Sequence, residues 1–236
     1  MSREALLERF FNACISGDRP AARAVISHLV EADCRAEAVL TRLVWPTLEQ
    51  VQALHRADRL SRVAHHYATR LMRSLAEQLQ ERLERAERNG RRALVTCGAE
   101  ESEELGAQIA ADLLEASGFE VFFAGGGVAQ DELIAQAGQL KADVLVVFGA
   151  VASTVPQTRL LIDACRDLGL RDRLQVAVGG GVFNRAEGLA EEIGADLWAK
   201  DPEELVRVVT EQPMARMSPA QRTVGRRRKP LASEAA

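Results

Sequence analysis

Five short apolar runs, ALVTC (93–97), EVFFA (120–124), DVLVVFG (143–149), LQVAVGG (174–180) and ADLWA (195–199), are separated by amphipathic stretches long enough for helices. This alternation constrains the fold more than any other feature of the chain. Continuous apolar runs of this length suit strands buried on both faces. Helical stretches fall at roughly 103–117, 130–140, 155–168, 185–193 and 202–210. The last opens with Asp201-Pro202, a cap followed by a first-turn proline. Strands joined by crossover helices lie parallel, with helices on both sheet faces. The predicted order is 2-1-3-4-5, a doubly wound, flavodoxin-like α/β sheet with its ligand crevice between strands 1 and 3.

Residues 1–88 read as helix throughout. Leu6, Leu7, Phe10, Phe11 and Cys14 share one helical face. Gly17 ends that helix, and Asp18 before Pro20 starts another. Val39, Leu43, Val51 and Leu54 form a further stripe, interrupted at Pro46. A long final helix runs from a Ser61 cap to a stop at Asn89-Gly90. The front of the chain is thus a bundle of four or five helices. Residues 91–211 form the α/β domain. Residues 212–236 lack apolar periodicity and read as a disordered tail. Its basic run RRRK (226–229) is either a solubilising end or a short contact with a partner or a nucleic acid.

Composition narrows the function by exclusion. A net charge of -4 gives no bulk electrostatic case for nucleic acid or membrane. The four cysteines are widely spaced, without a CxxC pair, which fits a reducing cytosol better than a zinc site or disulfide frame. The first residues, MSREALLERFF, do not form a signal peptide, and no apolar run has membrane-spanning length. A cytoplasmic protein is expected. No Ser-His-Asp array, HExxH or P-loop is present, so no catalytic role is assigned.

The loop GAEESEELG (98–106) stands where ligands sit in parallel α/β sheets, yet it carries Glu100, Glu101, Glu103 and Glu104. A phosphate cradle would expose glycines and cations instead. Further candidates follow the later strands: Gly149, Ser153 and Thr154 in GAVAST (149–154), then Gly179, Gly180 and Gly181. Glycines at a crevice rim let a planar ligand approach the backbone. Ser153 and Thr154 serve equally well as donors or as caps of the next helix. Cys97 reads as a buried structural thiol. In the bundle, three of the four histidines, His55, His65 and His66, lie within twelve positions, either side of the turn RADRLS (56–61).

These motifs, their order and spacing, and the run PTLEQVQALHRADRLSRVAHHYAT (46–69) resemble the cobalamin-binding module. That module occurs in corrinoid methyltransferases and in light-sensing cobalamin-dependent repressors, and the likeness covers roughly residues 10–210. It implies a helical bundle capping a Rossmann-like domain, with cobalamin between them. The family's Asp-x-His-x-x-Gly (Glu-x-His-x-x-Gly in the light sensors) falls on Glu101, Glu103 and Gly106. Glu103 thus replaces the histidine that bonds cobalt from below once the cofactor's own base has swung into the protein. The light sensors' capping Trp falls at His55, and their Glu-His pair at His65-His66.

A carboxylate is a poor substitute for imidazole on cobalt. Three outcomes stay open: cobalamin held with its base on or with a ligand from above, another tetrapyrrole such as haem or biliverdin, or an empty crevice. His55 and His66 are the metal-facing candidates. The leading functional expectation is a tetrapyrrole-binding sensor or regulator, light-responsive or not. No helix-turn-helix precedes the bundle, so it would act through a partner protein, and an oligomer is neither required nor excluded. The alternatives are a corrinoid carrier for methyl transfer and a degenerate scaffold.

Overall fold

The structure is a computed structural model and describes residues 2–99, 101–149 and 151–217, without the side chains of 101 and 102. The basic run at 226–229 lies outside the described residues.

The bundle comprises α1 (Arg3–Ser16), α2 (Arg19–Glu31), α3 (Ala36–Val39), α4 (Trp45–Arg56) and α5 (Arg62–Gln80). The α/β part follows as β1 (Arg92–Thr96), α6 (Glu101–Ala116), β2 (Glu120–Gly125), α7 (Gln130–Leu140), β3 (Val144–Phe148) and α8 (Val155–Asp167), then β4 (Gln175–Gly179), α9 (Leu189–Ile193), β5 (Leu197–Ala199) and α10 (Pro202–Glu211). The five strands form one parallel sheet in the order β2-β1-β3-β4-β5, as expected.

Strand alternation divides the interior in two. Ala93, Val95, Val144, Val146, Phe148 and Ala177 face α6, α10 and the bundle in one continuous core. Leu94, Leu145, Val147, Val176 and Val178 face α7, α8 and α9 in the other. The central strands β3 and β4 are buried on both faces, which is why they carry uninterrupted apolar runs. The bundle rests on only one of these layers.

Local chemistry sets the helix ends. The backbone N–H groups of Ala21, Ala64 and Glu204 donate to the cap side chains Asp18, Ser61 and Asp201 at 3.0, 3.2 and 2.7 Å. Gly17 closes α1 in the left-handed region at φ 72°. At Pro46 the expected interruption takes a specific form. A π-turn at Leu40–Val44 joins α3 to α4, so the helix continues and the proline falls at the start of its next segment.

Three expectations are corrected. The last bundle helix stops at Gln80, not at Asn89-Gly90. The segment after it finds other backbone partners: Ala86 N–H donates to Ala116 O and Asn89 N–H to Gly118 O. The helix expected at 185–193 is only Leu189–Ile193, preceded by turns that return the chain from the β4 end. Residues 213–217 do not belong to a free tail. Gln175 Nε2 donates to the carbonyls of Gln212 and Ala215, and Met217 N–H donates to the buried Asp196 carboxylate.

One half-buried acid stands out at the bundle–sheet junction. Asp112 of α6 has its pKa pushed up to about 7 by burial first, then by the charges of Glu115 and Glu77, with Arg85 opposing. Its Oδ2 has no hydrogen-bond partner among the described residues. The folded protein therefore keeps a proton that an ordinary aspartate, near 3.8, has released. Its stability contribution is full below about pH 4 and declines as pH rises through about 7. Asp112→Asn removes that loss. Around pH 8 its melting midpoint should exceed wild type by about 4 °C or more, since 1 kcal/mol moves Tm by roughly 2–4 °C at this size. Near pH 4 the two curves should coincide, and a constant offset at both pH values would refute the assignment.

Candidate functional site

Where the bundle meets the sheet, Trp45 lies on Phe148 with ring centroids 5.6 Å apart and planes tilted by 55°. Two glycines make room for it. A Cβ on Gly106 would come within 3.2 Å of Trp45, and one on Gly180 within 3.4 Å of Trp45 and 3.2 Å of Phe148. Arg73 of α5 adds an ion pair to Glu104 of α6 at 2.9 Å. Together these contacts hold α4 and α5 above the carboxyl ends of the strands.

A cleft of about 500 Å³ lies under that roof. Its upper wall carries His55 near the end of α4, and His65 and His66 near the start of α5; its floor includes Gly149, Val151 and Gly181. The His55 and His65 rings stack at 4.1 Å, and His66 stands edge-on to His65 at 5.9 Å. His55 Nδ1 is 3.3 Å from Leu60 O, so the turn between the helices fixes its ring. Below the sheet rim a second cavity, about 250 Å³, runs beside β1 and β3. Thr96, Gly98, Thr154 and Thr158 line it together with apolar Leu133, Val147 and Leu161.

Glu103 stands between the two. It is buried, and its Oε1 accepts Val151 N–H at 2.8 Å and the Thr154 hydroxyl at 3.3 Å. Its carboxylate packs against Gly98, where any side chain would collide with it. Val151 faces the cleft, while Gly98 and Thr154 face the lower slot, so this one acid touches the linings of both cavities. The acidic loop thus has internal work: Glu103 ties it to the loop after β3, and Glu104 ties it to the bundle. Burial raises the Cys97 thiol to about 12, and the charges of Glu103 and Glu104 add to the rise, so it stays an unreactive thiol.

The structure sorts the sequence candidates. His55, His65, His66, Gly149 and Gly181 line the cleft, and Thr154 lines the slot. Gly106, Gly179 and Gly180 line neither cavity. Their missing side chains admit Trp45, Phe148 and the carbonyl of Ala199. Ser153 is exposed and lines neither cavity. The side chain of Glu101 lies outside the described residues. Missed from the sequence were Gln52, Arg56, Arg62 and Arg185 on the cleft wall. Arg56 and Arg62 flank the histidine hairpin, and that adjacency was the available signal. Among the described residues no cluster of three or more His, Cys, Asp or Glu suits a bare metal ion.

A larger groove, about 600 Å³, lies by the connector after α5, but Arg35 there already pairs with Glu37 at 2.9 Å and Glu84 at 3.4 Å. Arg207 there pairs with Glu211 at 3.5 Å, and the groove lies away from the crevice of the sheet.

Residues 91–207 and residues 6–80 each match a B12 binding domain family. The chain is 24% identical over 208 residues to dimethylamine corrinoid protein 1 of Methanosarcina acetivorans, covering 87% of this chain and 96% of that protein. It is 32% identical over 103 residues to dimethylamine corrinoid protein 3 of Methanosarcina mazei, 44% of this chain and 60% of that one. Its fold matches the solved monomethylamine corrinoid protein of Methanosarcina barkeri with a TM-score of 0.77, covering 89% of this chain and 99% of that one at 18% identity.

If Trp45 is the wedge described, Gly106→Ala should displace it. With Trp198→Phe as background, leaving Trp45 as the single reporter, its emission should shift to the red. Stability should fall by about 1–3 kcal/mol, the usual cost of overpacking. Unchanged emission and midpoint would show that Trp45 does not depend on the glycine.

Proposed function

We propose that this chain, which belongs to the cobalamin-binding domain family, is a corrinoid carrier for methyl transfer that works with a partner protein. The observation that carries this reading is the pair of adjoining cavities: a broad cleft beneath the bundle and a narrower slot beside β1 and β3. That shape fits a planar macrocycle with a nucleotide tail. The curated relatives are corrinoid proteins by name, which favours the carrier over the sensor that led the sequence expectations. The regulatory reading rests on the 46–69 run alone.

Cobalamin fits the residues present, with one departure. Gly149 and Gly181 bring backbone to the cleft floor, and Thr154 and Thr158 bring hydroxyls to the slot. When bound, the cofactor supplies a cobalt centre able to take up and release a methyl group. The chain does the rest. The stacked imidazoles His55 and His65, with His66, roof the cleft and restrict water. The slot anchors the tail, and Glu103 keeps the two loops at the slot mouth together. With its carboxylate already engaged by Val151 and Thr154, Glu103 acts as a brace and not as a donor to the metal. A partner must reach the cleft past α4 and α5, so the contacts of Trp45 and Arg73 set how firmly the roof is held.

The tests are spectroscopic. Full-length protein incubated with hydroxocobalamin and desalted should emerge coloured. Cobinamide, which lacks the nucleotide tail, should bind at least about tenfold more weakly, a loss of about 1.4 kcal/mol. Irradiation of the loaded protein should leave its oligomeric state unchanged. Glu103→His should add a nitrogen splitting to the cobalt(II) EPR spectrum that wild type lacks when its histidines are labelled with nitrogen-15 and the variant's are scored the same way. A colourless product, or equal affinity for the two corrinoids, would defeat the carrier reading, while light-driven disassembly would restore the sensor.

A further inference from the structure

The cleft wall carries more positive charge than a corrin needs. Arg56 at the end of α4, Arg62 at the start of α5 and Arg185 in the turn after β4 converge on it from three separate segments. No carboxylate lines the cleft among the described residues. Arg56 and Arg62 make no hydrogen bond or ion pair among the described residues, while Arg185 donates to Gly181 O at 2.6 Å. Burial lowers the Arg56 pKa, and the charge of Arg185 lowers it further, so the two guanidiniums repel across the cleft. Glu49, outside the cleft lining, is felt by both Arg56 and Arg185 and offsets part of this repulsion, and it also accepts from Asn184 at 3.3 Å.

This concentration runs against a chain of net charge -4. Like charges gathered in one concavity cost stability, so an anion between them relieves a repulsion that the folded chain otherwise retains. A corrin ring is edged mainly by neutral amides, which ask for donors but not for three cations, and its cobalt is itself positive. Guanidinium forks match the paired oxygens of carboxylates and phosphates. Their convergence inside a concave site, in place of a spread over a flat face, suits a small ligand better than a docking surface.

We propose that the mouth of the cleft is a binding site for a small oxyanion, a molecule bearing carboxylate or phosphate groups, held by Arg56, Arg62 and Arg185 beside the corrin. Its role as a co-ligand of the loaded protein rests on the carrier reading; its existence as a site does not.

The test uses the full chain and two probes, pyrophosphate and citrate, in calorimetric titrations at low and constant ionic strength. Wild type should bind with saturable one-to-one stoichiometry. Arg56→Gln and Arg62→Gln should each weaken binding about tenfold or more. Arg59→Gln removes the same charge from the same turn but outside the cleft lining, and should change little. Non-saturating heats, or equal losses in all three variants, would reduce the effect to general charge screening and overturn the site. Cobalamin uptake, read by absorbance on the same proteins, separates the two readings. Oxyanion binding without cobalamin uptake retires the carrier and leaves the anion site; uptake without oxyanion binding does the reverse. Joint loss of both in Arg56→Gln would mean that the arginines hold the corrinoid itself, and would overturn the proposal.

Discussion

The contact between Trp45 and Phe148 is the constraint on which the rest depends. One residue belongs to the bundle and the other ends the central strand β3, and the indole occupies space left by Gly106 and Gly180. With the packing of α5 on α6, this contact joins the bundle and the sheet layer in one apolar core. It also sets the height of α4 and α5 over the sheet, and so the depth of the cleft. The ion pair between Arg73 and Glu104 is half-exposed and adds orientation more than energy.

A second constraint is polar. Loops after β1 and β3 must be joined where the sheet offers no further backbone pairing. Among the described residues Glu103 does this by accepting the Val151 N–H, with the Thr154 hydroxyl, shared with Val151 O, beside it. A buried carboxylate is tolerable only with such donors. The glycine at 98 is what lets the carboxylate approach that closely. Four acids in a ligand loop looked anomalous because a loop is read by the ligand it holds. Here the two whose side chains are described hold the protein itself.

Much of the architecture was legible because it obeys local rules. Five apolar runs, their spacing and the caps Asp18, Ser61 and Asp201 encode the sheet and several helix starts directly. What was not legible depends on partners distant in sequence. The helix after Ser61 has the composition to continue past Gln80, but residues 86 and 89 pair with the α6–β2 turn instead. Gly106, Gly179 and Gly180 looked like ligand glycines, because a sequence cannot say whether an absent side chain makes room for a cofactor or for a tryptophan. The hairpin histidines were found through a resemblance, whereas Arg185 joins them only through the fold. The function expected first, a sensor, followed the bundle, whereas the relative aligned over 87% of the chain is a corrinoid protein by name.

The π-turn at Leu40–Val44 has a consequence for the phase of everything after it. A π-turn accommodates one residue more than the α-helix it interrupts. Each residue of an α-helix advances the side-chain direction by about 100°. Were these five residues wound as ordinary α-helix with none removed, everything after them would be turned by about that angle. Trp45 would then swing off Phe148, and His55, ten positions on, would leave the cleft with it. The aim of the histidine roof is therefore a matter of rotational phase, stored in a five-residue turn that contacts no ligand and carries no chemistry of its own.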